Sequence, residues 1–310
     1  MRRALALSLS AGLVAVMPAG AQQTHVLVIS GLGGTPQYRK AFIETAALLA
    51  DSARARWHVA DSSLIVLAED PALDPSRITG RSTREEVASA FLRLSRRVKP
   101  GDVLLVFLNG HGGGEGAASR VNLPGPDPTA ADYASWLSGF SRQTVVFVNA
   151  ASGSGDFVPV LRGPGRVIVT ATKTAIERNE VMFAAPFVRG LTTGAADADK
   201  DGRLSVMEAF EYATREVANA YEAAHTLQTE HAVLSDSALA RTVAFGGARP
   251  SDDPRVVALV GDRQRLETDV AMLRARKSGM DSVTYARELE RLLLLIAERS
   301  RAIRAISGTP

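Results

Sequence analysis

Residues 102–114 read DVLLVFLNGHGGG, and this stretch decides the fold. Its six consecutive apolar residues do not alternate with polar ones, which is typical of a strand that is buried on both faces of a parallel sheet. The run ends in Asn109, Gly110 and His111, followed by three more glycines. The stretch therefore predicts a buried strand over 102–108 that opens into a flexible loop carrying a histidine.

Strand and helix patterns alternate on both sides of this stretch. We predict strands over 25–29, 63–67, 102–108, 144–148 and 166–170, and helices over 36–55, 82–98, 129–139 and 179–191. Ser82 is the expected N-cap of the second helix, because Glu85 follows three residues later. Continuous apolar strands alternating with helices predict a three-layer α/β domain with a mostly parallel sheet.

Ligand sites in such sheets lie at the carboxyl ends of the strands, where only loops cover the sheet. Three glycine-rich loops fall there, at residues 30–36, 109–116 and 149–155. The first reads GLGGTP, but a dinucleotide fingerprint would need a glycine where Pro36 stands, and no phosphate-loop lysine pattern is present. We therefore expect a site built from loops that does not bind nucleotides.

The first 21 residues have the pattern of a signal peptide. Arg2 and Arg3 precede an apolar run that ends at Met17, and Ala19-Gly20-Ala21 fits the signal peptidase rule. A membrane anchor is the alternative, but the run is shorter than the roughly 20 residues that span a bilayer. We expect cleavage after Ala21, no membrane span afterwards, and a periplasmic or extracellular location.

Composition excludes several functions. Removing the leader lowers the 36 basic residues to 34, against 33 acidic ones, and no basic stripe with interleaved aromatics predicts nucleic-acid binding. The chain has no cysteine, which excludes disulfides, thiolate metal ligands and a cysteine nucleophile. Any nucleophile must therefore be a hydroxyl or another non-thiol group.

Residues 250–310 differ in character from residues 22–249. Apolar residues recur at spacings of three and four, Arg263 and Lys277 occupy two missing heptad positions, and Ser278-Gly279 interrupts the pattern. The pattern predicts a C-terminal helical hairpin of coiled-coil type. Two interpretations remain: the apolar stripe packs on the α/β domain, or the hairpin protrudes as an arm for self-association or for a partner.

His111 stands where a general base would be needed, at the carboxyl end of a buried strand. Gly112, beside it, lets a ligand approach the backbone closely. A second apolar strand then ends in the small-residue loop 149–155, NAASGSG. An apolar strand ending in His-Gly, followed by a strand ending in a Ser-Gly loop, resembles the caspase-fold cysteine peptidases, most closely the legumain-like family, over about residues 24–245.

The resemblance implies a caspase-like fold with His111 as the base, but it also implies a lost nucleophile. The family pattern Glu-Ala-Cys-x-Ser-Gly-Ser places its cysteine at Ala150 and its acidic residue at Val148. The family's Asn-Tyr-Arg-His motif falls on residues 37–40, QYRK, and implies that Arg39 helps to hold a substrate side chain. The resemblance therefore suggests a pseudopeptidase that binds a peptide or protein partner.

A working hydrolase is the competing interpretation. Ser152 or Ser154 could act with His111 as a peptidase or esterase, with loop amides as an oxyanion hole. No G-x-S-x-G motif surrounds either serine, and the alignment places both beyond the attacking position. A third view makes the hairpin the functional part and the α/β domain its platform.

Residues 197–208, DADKDGRLSVME, match an EF-hand calcium loop. The expected Ca²⁺ ligands are Asp197, Asp199, Asp201, the Arg203 carbonyl, Ser205 and bidentate Glu208. A solvated acidic turn is the alternative, but carboxylates so close together repel one another unless a cation is bound. A single loop in an exported protein favours a structural clamp over a calcium switch.

Overall fold

The computed structural model describes residues 22–198, 203–245 and 253–307. The predicted signal peptide lies outside the described residues, as do Asp199 and Asp201 of the predicted calcium loop. Of the described helices, none combines the length and the apolar character that crossing a bilayer requires.

Strands and helices alternate through residues 22–198 and 203–245. The strands are β1 (Thr24–Ser30), β2 (Leu64–Ala68), β3 (Gly80–Arg81), β4 (Val103–Asn109), β5 (Gly112–Gly113), β6 (Arg120–Val121), β7 (Thr144–Asn149), β8 (Arg166–Thr170), β9 (Leu204–Ser205), β10 (Val233–Leu234) and β11 (Ala244–Phe245). The helices are α1 (Pro36–Ala55), α2 (Arg84–Arg97), α3 (Ala130–Leu137), α4 (Phe157–Leu161), α5 (Ala184–Thr192), α6 (Val206–Ala223), α7 (Ser237–Thr242), α8 (Pro254–Ala275) and α9 (Ser282–Ser307).

The main sheet has seven strands in the order β10-β8-β7-β4-β1-β2-β3. All neighbouring pairs are parallel except β10 and β8, which are antiparallel. The predicted α/β class with a mostly parallel sheet is therefore confirmed. β4 lies between β1 and β7, so the loops that follow these three strands meet at the same edge of the sheet.

Both faces of the sheet are buried, which explains why its strands are apolar without alternation. On one face, Val26 and Val28 of β1 pack in a core with residues of α1, α5 and α6. On the other face, Leu27 and Ile29 pack in a core with residues of α2, α3 and α4. Helices thus cover the sheet on both sides and form the expected three layers.

α1 spans the 20 residues that the sequence predicts. Pro36 occupies the first turn, and the Thr35 side chain caps the helix by accepting from the Tyr38 N–H. This start places Tyr38 and Phe42, one turn apart, on the side of α1 that meets the end of β4. The position of α1 therefore determines which side chains surround His111.

Two predicted helix starts are wrong. Thr83, not Ser82, caps α2, because the Ser82 hydroxyl donates to the Ser30 carbonyl at 2.7 Å. The helix expected from residue 179 begins at Ala184. Pro186 lacks an N–H and fits the first turn of a helix, so a start near 184 accommodates it.

The C-terminal hairpin has its own small core. α8 and α9 are separated by a short 3₁₀ turn, Lys277–Gly279, where the sequence predicts the break. Val270, Leu273 and Leu292 are buried between the two helices. Arg263, which interrupts the apolar stripe, is 5% exposed and lies 3.2 Å from the Glu267 carboxylate. A paired charge therefore replaces one apolar layer of the hairpin.

Candidate functional site

His111 follows β4 and packs against α1. Its ring centroid lies 4.8 Å from that of Tyr38 and 5.3 Å from that of Phe42, in edge-to-face arrangements. The Asn109 side-chain amide donates to the Phe42 carbonyl at 3.1 Å and fastens α1 to the end of β4. The His111 carbonyl accepts from the Asn122 N–H at 2.8 Å. The imidazole is thus held in a half-buried aromatic setting on the α1 side of the sheet.

Ala150 lies beside the start of the His111 loop. Leu108 of β4 pairs with Asn149 of β7, and the Ala150 N–H donates to the Leu108 carbonyl at 2.7 Å. The Ala150 side chain belongs to the core on the α1 side, the layer against which His111 also packs, and the residue is 2% exposed. A buried methyl group with no reactive atom therefore occupies this position.

Ser152 ties the β7 loop to the His111 loop. Its hydroxyl accepts from the Gly112 N–H at 3.2 Å and lies 3.5 Å from the Gly112 carbonyl. A Cβ at Gly112 would lie 2.7 Å from the Ser152 carbonyl oxygen and 2.8 Å from that of Arg120. A side chain at position 112 would therefore collide with two neighbouring backbone segments, which explains the glycine there.

Ser154 is deeper and joins the β7 loop to the β8 loop. It is 1% exposed, its hydroxyl lies 3.2 Å from that of Thr172, and it accepts from the Thr172 N–H at 3.3 Å. Among the described residues, neither Ser152 nor Ser154 has the His111 imidazole as a hydrogen-bond partner. Both hydroxyls hold loops together in this arrangement.

Arg39 is directed away from these residues. Its guanidinium forms an ion pair with Glu69, and the second carboxylate oxygen of Glu69 accepts from the Gly33 N–H at 2.9 Å. Glu69 follows β2, whereas His111 follows β4, and β1 lies between those two strands. The structure brings the His111 loop and Ser152 together, whereas Arg39 pairs with a carboxylate that follows β2, two strands away from β4.

Residues 173–183, between β8 and α5, form a wall of the candidate site; the sequence TATKTAIERNE at 170–180 resembles bacterial relatives of the caspase fold but gave no role for a particular residue. The Glu177 carbonyl accepts from the Gly153 N–H at 2.8 Å, and its carboxylate contacts His231 Nδ1 at 3.0 Å. Glu180 Oε2 accepts from the Tyr38 hydroxyl at 2.8 Å. In the sequence, this aromatic cluster is indicated by Tyr38 and Phe42, which stand four residues apart and therefore on one face of the predicted helix.

Glu230 supports this wall from behind. It is 1% exposed, and its carboxylate accepts from the N–H groups of Met182 and Phe183, just before α5, at 2.7 and 3.3 Å. Burial raises the pKa of Glu230 to about 7, although these two backbone hydrogen bonds act in the opposite direction. The backbone just before α5 is thus held by a carboxyl group whose pKa is near neutral.

The predicted calcium loop closes on itself through Glu208. One carboxylate oxygen of Glu208 accepts from the Ala198 N–H at 3.0 Å, and the other accepts from the N–H and hydroxyl of Ser205 at 2.9 and 2.7 Å. Leu204 and Ser205 of β9 pair with β11. The loop therefore pairs with a short strand of its own domain.

Within residues 22–198, 203–245 and 253–307, no group of three or more His, Asp or Glu side chains is arranged to hold a metal ion; Asp199 and Asp201 lie outside these ranges. Asp197, Arg203, Ser205 and Glu208 are the expected ligands that fall in the described part of the loop. Carboxylate, carbonyl and hydroxyl oxygens are the donors that Ca²⁺ prefers, so this donor set fits that cation.

Together these features define a three-layer α/β protein whose candidate site is built by loops at the carboxyl ends of β4, β7 and β8. No protein-family model matches the chain, and no curated protein matches it. A crystal structure of a protein from Geobacter sulfurreducens is similar to it with a TM-score of 0.41 and 10% sequence identity, covering 74% of this chain and 95% of that one.

Proposed function

We propose that this chain is an exported, caspase-fold pseudopeptidase of the legumain-like type, which binds Ca²⁺ and a peptide or protein partner. The observation that carries the proposal is that the residue beside the start of the His111 loop, Ala150, has no nucleophilic atom. Ala150 stands where the resemblance expects a nucleophile, and it is 2% exposed. Peptide can still bind at such a site, because binding requires complementary surface and not a nucleophile.

The contacts of the serines support binding over hydrolysis. A serine nucleophile needs a base within hydrogen-bond reach, about 2.6–3.2 Å. The partners of Ser152 are the backbone groups of Gly112, and those of Ser154 are the hydroxyl and N–H of Thr172. Neither hydroxyl has the His111 imidazole as a hydrogen-bond partner within the described residues, so we rank a serine hydrolase second.

Exposed apolar side chains near the site support a peptide ligand. Ile176 and Met182, in the wall between β8 and α5, are 79% and 38% exposed, and Leu32, after β1, is 39% exposed. Each of these side chains would offer apolar contact area to a peptide that lies along the loops. An extended segment could pack on them while its backbone bonds the loops.

Calcium belongs to the proposal as a clamp. Glu208 joins the start of α6 to the beginning of the loop through Ala198, and β11 holds Leu204 and Ser205. Bound Ca²⁺ would add oxygen coordination at this junction and reduce the repulsion among the acidic side chains of the loop. Hydrogen bonds from Ala198 and Ser205 already hold the Glu208 carboxylate in place at the end of the loop.

The hairpin could add self-association to these roles. Leu293 and Leu294 of α9 are 46% and 59% exposed, although the seam with α8 is buried. We therefore expect the full chain, but not a chain ending at residue 249, to show a mass above that of a monomer in solution. Sedimentation of both forms tests this part of the proposal separately.

Histidine NMR tests the peptide site directly. The chain has five histidines, so the ring signal of His111 can be assigned by its loss in His111→Gln. The probe is a chymotryptic digest of casein. We expect the His111 signal to shift with added peptides while mass spectrometry detects no new cleavage products. New products would favour the hydrolase, and an unchanged His111 signal would refute the peptide site.

A further inference from the structure

An aromatic surface lies on the α1 side of the candidate site. Tyr38 and Phe42 are one turn apart on α1, with ring centroids 6.3 Å apart, and His111 packs on both. All three side chains are half-buried, so part of the cluster stays open to solvent. Aromatic rings attract cations through their quadrupole, and arginine is the side chain that most often uses this interaction.

A carboxylate without a cationic partner lies next to this surface. Glu180 is exposed, and its one hydrogen-bond partner among the described residues is the neutral hydroxyl of Tyr38, at 2.8 Å. The same hydrogen bond and the negative charge of Glu180 raise the pKa of Tyr38, so the phenol stays protonated. The charge of Glu180 is therefore not neutralised within the described protein.

The other carboxylates at this end of the sheet differ from Glu180. Four form ion pairs with arginine or histidine side chains, and two more accept hydrogen bonds from the backbone. The ion pairs are Glu69 with Arg39, Asp127 with Arg120, Glu177 with His231 and, at 3.8 Å, Glu115 with Arg178; the backbone acceptors are Asp156, for Gly116, and Asp70, for Ala72. Among these carboxylates, Glu180 is thus the one with neither a cationic partner nor a backbone donor among the described residues.

We propose that the site recognises a basic side chain of the bound peptide, arginine in preference to lysine. Glu180 takes the charge, and Tyr38 and Phe42 pack along the side chain. The planar guanidinium can pair with both oxygens of a carboxylate and stack on an aromatic ring, whereas the lysine ammonium is a hydrated point charge. This inference rests on the proposed function, because it requires that a peptide occupies the site.

Single peptides test the preference. The probes are fluorescein-labelled Gly-Ala-Ala-Xaa-Ala-Ala amides in which Xaa is arginine, lysine, citrulline or asparagine, and fluorescence anisotropy measures Kd for the full chain. Citrulline has nearly the shape of arginine but no charge. We expect the arginine peptide to bind at least tenfold more tightly than the citrulline peptide, with lysine between them.

Glu180→Gln supplies the matched variant. Glutamine can still accept the Tyr38 hydrogen bond, so the aromatic cluster is retained while the charge is removed. We expect the arginine-to-citrulline ratio to fall below threefold in Glu180→Gln. It should stay at its wild-type value in Glu44→Gln, which removes an exposed carboxylate of α1 that faces Lys40 at 3.7 Å.

The outcomes separate the inference from the proposed function. Equal binding of all four peptides, or a tenfold ratio that survives Glu180→Gln, would overturn the basic preference and leave peptide binding intact. If none of the four binds and the casein peptides also leave the His111 signal unchanged, the peptide site itself is refuted. If casein peptides shift the signal but the arginine peptide does not bind, the preference alone is wrong.

Discussion

The hydroxyl of Ser152 accepts a hydrogen bond from the N–H of Gly112 at 3.2 Å, and this contact joins the loops that follow β7 and β4. A side chain that could have been a nucleophile instead holds the loop that carries His111. Ser154 does the same for the next pair of loops through Thr172. The two serines therefore have structural roles whose loss can be measured as stability.

Removing these hydroxyls should lower stability by different amounts. We expect Ser152→Ala to reduce the free energy of unfolding by about 1 kcal/mol, since it deletes the half-buried hydrogen bond from the Gly112 N–H. Ser154→Ala should cost about 2 kcal/mol, because it leaves the N–H of Thr172 buried without a partner. Urea denaturation measures both. Unchanged midpoints in both variants would contradict the structural role.

Two glycines of the site loops offer a matched comparison. A Cβ at Gly155 would lie 2.3 Å from the backbone carbonyl of Lys173, whereas one at Gly113 meets nothing within 4 Å. We expect Gly155→Ala to cost about 3 kcal/mol through overpacking, and Gly113→Ala to change stability by less than about 0.5 kcal/mol. Similar melting temperatures for the two variants would show that these loops approach less closely than described.

Stability should depend on pH through Glu230. Its pKa is about 7 in the folded protein and near 4.5 when unfolded, so the folded state binds more protons between these values. The folded state favours the protonated carboxyl, and the stability associated with this protonation is fully present below about pH 4.5. It is lost as the pH rises through 7, because the buried carboxyl then ionises. Glu230→Gln should therefore gain about 2 kcal/mol relative to wild type between pH 5 and pH 8.

Denaturation of both proteins across this pH range measures the effect. Exposed Glu222→Gln is the control, and its stability should follow that of the wild type at every pH. Parallel curves for wild type and Glu230→Gln would mean that Glu230 is not held in a desolvated position.

Calcium should stabilise the folded chain. With a Kd of about 10⁻³ to 10⁻⁴ M, 5 mM Ca²⁺ adds about 1–2 kcal/mol, or roughly 4 °C in Tm. Glu208→Gln should lose the shift, while it keeps an acceptor for the N–H of Ser205. Trp57 provides a second readout, because its ring stacks on Phe245 of β11 at 4.8 Å. A Tm unaffected by Ca²⁺ and by chelator would argue against the clamp.

The strands were predictable because each is buried on both faces and reads as a continuous apolar run. The start of α5 was not, since it depends on Glu230, which is 47 residues or more away and binds the N–H groups just before the helix. Ser82 was misassigned for a similar reason, because its hydroxyl bonds a strand end 52 residues earlier. Local capping rules see neighbours along the chain and not these long-range partners.

The site was predictable to the level of its loops. His111, Ala150 and Ser152 follow adjacent strands, and the carboxyl-end rule brings such loops together. The direction of Arg39 was not predictable, because it depends on the carboxylate of Glu69 at the end of β2. Glu180 was also missed, since a single exposed glutamate in a polar loop gives no sequence signal until Tyr38 is seen beside it.

The absence of a nucleophile at the His111 site is the central claim, and intact-mass spectrometry tests it most directly. Wild-type protein is incubated with a fluorophosphonate and, separately, with casein peptides, and its mass is followed over time. The account predicts an unmodified protein and unchanged peptides in both incubations. A stoichiometric adduct mapped to Ser152 or Ser154, lost when that serine is replaced by alanine, would contradict it.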